Sequence, residues 1–190
     1  METVALARFL IGTTLVSDSP DGRTTVRIVE TEGYLPGDAA AHSYRGETAR
    51  NGSLFSAVGH AYVYFIYGMY FCMNVSSERA GVGAGVLIRA GKPTGGVALM
   101  QRRRPRAAAN DLCRGPGKLA TALAITRLHD GLDLTAPGPL WLAAAPPGTG
   151  PELLASPRIG ITKEAERELR FFERASPFVS GSKRTNAAPG

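Results

Sequence analysis

The sequence predicts an α+β fold, and three observations carry that expectation. Stretches rich in β-branched and aromatic residues recur along the whole chain, two segments carry helix-start signals, and the two kinds of segment follow one another without regular βαβ alternation. At 190 residues the chain fits one compact domain, since domains commonly run to about 100–200 residues.

Residues 4–10 read as a short helix, and Thr13–Ser17 and Thr24–Glu32 as strands joined by a turn at Ser19-Pro20-Asp21-Gly22. A polar, Gly-containing connection follows over residues 33–58; loops of that length in a compact domain tend to be functional or disordered. Tyr62–Asn74 reads as a β-hairpin. Two strand-forming runs flank Gly68-Met69, and a Gly-X pair meets the demand of a type II′ turn for φ > 0 at its first central residue. That turn leaves Tyr67 and Tyr70 beside an aromatic tip, which is either a contact site or is tucked under a neighbour.

Val82–Ala90 reads as a buried strand. Pro93 then suits an early helix position, with the helix ending before Arg104-Pro105 because proline disfavours the α conformation in the residue before it. A second helix starts at Pro116, carries Leu119, Ala122, Leu123 and Ile125 on its apolar face, and has Gly131 as terminator. Short strands are expected at Leu140–Leu142, Arg158–Ile161 and Arg170–Glu173. A weak seam falls in the Pro/Gly/Ala run from Ala136 to Pro151, and the polar tail from Ser180 is expected to fray.

Lys and Arg total 22 against 16 Asp and Glu, a formal charge of +6, which favours a polyanionic partner. Cys72 and Cys113 are too few for a disulfide framework and form no CxxC pair, so a reducing compartment fits. The opening residues lack the basic and apolar segments of a signal peptide, and no run reaches the roughly 20 apolar residues that span a bilayer. A soluble, intracellular protein is the expectation.

Alternation along Thr24–Glu32 puts Val26, Ile28, Glu30 and Glu32 on one strand face. Two carboxylates on a buried face need partners, because desolvating an ionised carboxylate costs several kcal/mol. They are structural ion-pair members, a solvated strand end, or a general base held by rigid backbone beside a long loop. A carboxylate pair about 6–7 Å apart along one strand also overlaps the separations of sugar glycosidases, but two parallel side chains cannot flank a scissile bond. A noncatalytic nucleic-acid binding module remains open on charge and hairpin alone.

His42 follows three alanines and suits either a ligand contact or a surface loop; His60 and His129 stand without ligand-spaced partners, so no metal is expected. Arg102-Arg103-Arg104 with Arg106 suits a solvated helix end or a phosphate backbone. Arg114-Gly115-Pro116-Gly117-Lys118 opens a helix in a way that suits a phosphate but lacks P-loop spacing.

Taken in order, Arg27–Tyr34, Ala41-His42-Ser43, the hairpin Tyr62–Asn74, Val86–Ala90, Cys113–Leu119, Arg158-Ile159-Gly160 and Ser176–Ser180 resemble the alkyladenine (3-methyladenine) DNA glycosylase family, over about Leu6 to Ser180. The resemblance implies a single domain over residues 1–180, with 181–190 as a flexible tail, built on a curved antiparallel sheet with surrounding helices and a protruding hairpin. It implies that Glu32 is the general base, with Arg89 and the main-chain carbonyl of Ile159 holding the attacking water. Tyr34, His42 and Tyr64 match the pocket for a flipped purine, Asn74 the residue that crowds the amino group of normal guanine, and Tyr67 the wedge that fills the gap in the duplex. Met69, Tyr70, Arg102, Arg103 and Lys118 are candidate DNA-backbone contacts. No lysine stands where Schiff-base attack would need one. A monofunctional, cofactor-free monomer acting on duplex DNA with damaged purines is the expectation.

Overall fold

The structure, a computed structural model, describes residues 1–66, 68–145, 150–182 and 184–186. Tyr67, part of the Ala136–Pro151 seam and the end of the tail fall outside them. Among the described residues eight strands, β1 (Thr14–Ser19), β2 (Gly22–Tyr34), β3 (Ala61–Ile66), β4 (Tyr70–Ser76), β5 (Gly85–Gly95), β6 (Leu140–Ala143), β7 (Leu153–Ser156) and β8 (Arg170–Glu173), form one antiparallel sheet in the order β3-β4-β5-β2-β1-β6, with β8 on β2 and β7 on β8. Three α-helices accompany it among the described residues, giving a single α+β domain. None of the described helices is long and apolar enough to cross a membrane.

The first helix, α1 (Thr3–Leu10), buries Thr3, Leu6, Ala7 and Leu10, the i, i+3, i+4, i+7 stripe that makes a short helix stable only by docking. β1 (Thr14–Ser19) and β2 (Gly22–Tyr34) pair from Thr14↔Arg27 to Ser19↔Gly22, so the turn falls at Pro20-Asp21 as the sequence implies. β2 is the spine of the sheet. Its first half pairs with β1, Glu30–Glu32 pair with β8 (Arg170–Glu173), and β5 (Gly85–Gly95) runs along its other edge.

β3 (Ala61–Ile66) and β4 (Tyr70–Ser76) pair antiparallel, with Ile66 opposite Tyr70. Three residues therefore separate the strands, not two. The Met69 N–H donates to the Ile66 carbonyl at 3.3 Å, so Gly68, at φ 67°, sits just before the closing residue and the Gly68-Met69 type II′ turn is not formed.

Pro93 lies inside β5, opposite Val26, and α2 is shorter than expected (Val97–Arg103). Among the described residues only the isolated bridge Ala90↔Arg114 joins the outer edge of β5 beyond Leu87, and none is paired with Pro93 on that edge, so a residue without an N–H breaks no ladder there. The helix α3 (Pro116–Ala122) starts at the expected proline, after Gly115 at φ 136°, but stops well before Gly131. Ala124, at φ 54°, turns the chain, and a separate 3-10 turn covers Arg127–His129. β6 (Leu140–Ala143) matches its expectation, whereas Arg158–Ile161 is loop and the strand of that region is β7 (Leu153–Ser156).

The main core lies between the sheet and the three helices. Leu10, Leu15, Val26, Ile28, Met73, Ile88, Met100, Leu119 and Leu123 are almost fully enclosed there, and each such side chain contributes about 1.5–3 kcal/mol by leaving water. Two smaller clusters occupy the opposite face of the sheet. Leu54, Tyr62, Tyr64, Cys72 and Leu87 form one; Val29, Ala90, Phe172 and Val179 form the other.

Candidate active site

The site begins with a break in strand alternation. The β2–β5 register passes from Ile28↔Gly91 to Glu30↔Ala90, leaving Val29 unpaired, and then to Thr31↔Ile88, leaving Arg89 unpaired. Ile28 faces the main core, Val29 the opposite cluster, and Thr31 is back on the helix side, where its hydroxyl donates to the Ala7 carbonyl at 2.8 Å. Glu30 and Glu32 thus share a face, but it is opposite to that of Val26 and Ile28. The expectation of one face for all four fails because an inserted residue shifts the pleat.

That shift turns both carboxylates toward Arg89. Its Nη1 lies 3.1 Å from Glu32 Oε2 and its Nε donates to Glu30 Oε1 at 3.1 Å. Glu30 is fully enclosed, and also accepts from Arg170 Nε at 2.6 Å, from the Ser180 N–H at 2.7 Å and from the Ser180 hydroxyl at 2.9 Å. Glu32 has 0% exposure as well, but its remaining partners are of a different kind. The Tyr34 hydroxyl donates to Oε2 at 3.0 Å and the Ile159 N–H to Oε1 at 2.7 Å. The amide of Ile159 thus meets the carboxylate directly.

Tyr34, Arg89 and Ile159 all line a cavity of about 350 Å³. Glu32 therefore sits directly behind the cavity wall, reached through its own hydrogen-bond donors. His42, Tyr64, Asn74, Leu54, Cys72, Gly85, Leu87 and Pro116 complete much of the lining. Tyr62 and Tyr64 stack at 5.2 Å between ring centroids, and His42 meets Tyr64 edge-on at 4.5 Å. Packing there, with the charge of Arg50, holds His42 below its ordinary value and so favours neutral imidazole; its Nδ1 shares a hydrogen bond of 3.0 Å with the Tyr62 hydroxyl. Burial pushes the Tyr34 and Tyr64 hydroxyls well up, with the Glu32 carboxylate adding to the effect at Tyr34. Both remain protonated donors. The Asn74 side-chain oxygen is buried at the cavity without a hydrogen-bond partner among the described residues.

Arg158 is the functional neighbour that strand-pattern reading missed. Its guanidinium lies 4.6 Å from the Tyr34 ring centroid, donates to the Gly33 carbonyl at 3.0 Å, and is paired with Asp38, both side chains being fully enclosed. It fixes the back of the Tyr34 ring and the start of the Asp38–His42 loop. The Arg158-Ile159 dipeptide signalled it only as part of a motif, because a loop residue 120 positions away from Asp38 has no local periodicity to betray its partner.

The outer candidates divide. Met69 and Tyr70 are exposed, and Gly117 at the start of α3 lies so near the Tyr70 ring that a Cβ would meet it at 3.0 Å. Lys118 pairs with Asp111 at 2.6 Å while staying partly exposed. Arg102 is exposed, but Arg103 turns inward to the Ala122 carbonyl and the Ser19 hydroxyl. The wedge candidate Tyr67 lies outside the described residues. Among the described residues no three His, Cys, Asp or Glu side chains gather as a metal site would require.

Fold and site together set an aromatic cleft beside a fully enclosed carboxylate. The methylpurine-DNA glycosylase family model matches residues 1–177. Provisionally named 3-methyladenine DNA glycosylases are similar along nearly the whole chain. That of Mesorhizobium japonicum is 56% identical over 95% of this chain and 86% of its own length; that of Paraburkholderia phytofirmans is 44% identical over 100% and 88%. One from Methanocella arvoryzae is 45% identical over 94% of this chain and 90% of its own. The chain belongs to the methylpurine-DNA glycosylase family, and is a hydrolytic DNA glycosylase of DNA repair.

Proposed function

We propose that the protein turns alkylated or deaminated purines (the class of 3-methyladenine, 7-methylguanine, hypoxanthine and ethenoadenine) out of duplex DNA and hydrolyses their glycosidic bond with a water activated by Glu32. The observation that carries this reading is the fully enclosed Glu32 carboxylate, held by Arg89, Tyr34 and the Ile159 amide at the wall of an aromatic cavity. A glycosidic bond inside a duplex is out of reach of a buried base catalyst, so the nucleotide must leave the stack first, at a cost of a few kcal/mol that is smaller for a damaged pair.

Tyr67 is the proposed wedge that fills the gap; Met69, in the turn, and Tyr70, at the start of β4, are exposed. Arg102 and Lys118 are the basic candidates for the phosphate backbone, Arg103 being turned inward to the Ala122 carbonyl and the Ser19 hydroxyl. The extruded purine is gripped by Tyr34, His42 and Tyr64; base–aromatic stacking is worth about 1–3 kcal/mol per base, and alkylation adds positive charge that a tyrosine face attracts. Asn74 excludes normal guanine by crowding its amino group.

In the chemical step the water oxygen bonds to C1′ while the C1′–N bond breaks, its electron pair leaving with the purine. Glu32 takes the water proton. Arg89 and the main-chain carbonyl of Ile159 hold the water, the Ile159 amide steadies the carboxylate, and Tyr34, which stays protonated, keeps its donor on Oε2. The products are free base and an uncut abasic site, formed by a single chain acting on intracellular DNA. Duplexes carrying each of the four lesions, incubated with the protein and then treated with alkali, test this. Strand breaks appearing only after alkali on at least one lesion are expected, with no adduct trapped by borohydride. Tight binding with no abasic product on any lesion would leave a binding module instead.

A further inference from the structure

We infer that Ser180, past the 177 residues that the family model matches, is a positioning residue for catalysis: it locks the Arg89 guanidinium in the orientation that Glu32 needs. The inference rests on the proposed role of Glu32 and adds to it the element that fixes Arg89 from behind.

Arg89 sends its three nitrogens in three directions. Nη1 faces Glu32 at 3.1 Å, Nε donates to Glu30 at 3.1 Å, and Nη2 donates to the Ser180 hydroxyl at 3.3 Å. The same hydroxyl donates onward to Glu30 Oε1 at 2.9 Å, and the Ser180 N–H donates to Glu30 Oε2 at 2.7 Å. Ser180, Glu30 and Arg89 thus close a ring of hydrogen bonds in which each member touches the other two. A planar guanidinium held on two edges has no freedom to swing its third edge away from Glu32.

The ring is anchored from outside. Arg170, fully enclosed, donates to Glu30, to the Ser180 carbonyl at 3.2 Å, to the Thr185 carbonyl at 3.0 Å and to Asn186 Oδ1 at 2.7 Å. Arg114, just before α3, donates to the Val179 carbonyl at 2.7 Å and the Gly181 carbonyl at 3.1 Å. Two arginines on separate elements therefore fasten the chain on either side of Ser180. The segment fastened in this way places a hydroxyl between two buried charges, where geometry has the largest electrostatic consequence. Ser180 itself does not line the cavity, so its effect on the reaction passes through Arg89.

Ser180→Ala removes both hydroxyl bonds while keeping the N–H to Glu30; Ser180→Thr keeps the hydroxyl. Single-turnover release of base from a lesion-containing duplex is measured for the full chain well below its melting temperature, together with affinity for the same duplex. The expected result is a loss of about tenfold in the release rate for Ser180→Ala, the scale of one lost hydrogen bond to a charged group, with affinity within twofold (~0.4 kcal/mol) and with the rate restored in Ser180→Thr. A lower melting temperature with an unchanged release rate, or a loss of affinity that matches the loss of rate, would overturn the inference and leave Ser180 structural. Failure of the unmodified protein to release any base would instead strike at the proposed function.

Discussion

Val29 and Arg89 are the unpaired residues of facing bulges in β2 and β5, one register step apart. The pair of insertions turns Glu30 and Glu32 out of the main core and delivers Arg89 to them, so the face proposed for catalysis is created by a local departure from the sheet's own period. Bulges beside active sites commonly re-aim side chains in this way.

Arg89 is the charge that makes two enclosed carboxylates tolerable on one face. In Arg89→Gln, Glu30 retains Arg170 while Glu32 loses its cation, and removing one partner of a buried pair costs about 3–5 kcal/mol. Urea unfolding should show that loss as a lower midpoint with an unchanged slope.

Tyr34 contributes a hydrogen bond as well as a ring. Tyr34→Phe keeps the ring against Arg158 and removes only the donor to Glu32. Base release should slow about tenfold, the scale of a hydrogen bond to a charged group, while affinity for lesion duplex stays close to that of the unmodified protein. A release rate equal to the unmodified one would show that this hydroxyl does not orient the base.

His42 makes the fold acid-sensitive in a defined direction. Its folded value is held below the ordinary 6.5 by burial and by Arg50, so the unfolded chain binds the proton more readily. The associated stability is present above pH 6.5 and is lost as pH falls below it. In His42→Asn the unfolding free energy should depend less steeply on pH in that acid range, as urea titrations at a series of pH values would show.

Asn74 is expected to set the boundary of the substrate range. Its side-chain oxygen is enclosed at the cavity without a hydrogen-bond partner among the described residues, so a smaller side chain there opens space. Asn74→Ser should raise release of normal guanine relative to hypoxanthine, by roughly 10-fold or more, since a group of this size in a tight pocket discriminates by that order. Guanine release that stays at background while hypoxanthine release is kept would remove Asn74 from this role.

Much of this architecture is legible in the sequence because its signals are local. The stripe Thr3, Leu6, Ala7, Leu10, the turn at Pro20-Asp21, and the Gly-Pro start of α3 each depend on residues a few positions apart, and each appears where the pattern places it. What escaped depends on partners far along the chain. Alternation alone cannot reveal that Val29 is an extra residue, since the bulge exists only against β5. Pro93 reads as a helix start until its place in β5, opposite Val26, is known, and Arg158 reads as strand until Asp38 and Tyr34 are seen to hold it in a loop. The candidates Glu32, Arg89, Tyr34, His42, Tyr64, Asn74 and Ile159 do gather around one cavity or directly behind its wall.

The most direct measurement is single-turnover release of hypoxanthine or 3-methyladenine from duplex DNA by Glu32→Gln, with affinity for the same duplex determined in parallel. General-base catalysis is worth about 10²–10⁴ in rate, so release should fall by at least that lower bound while binding is retained. Release at the unmodified rate by Glu32→Gln would contradict the assignment of Glu32 as the base that activates water.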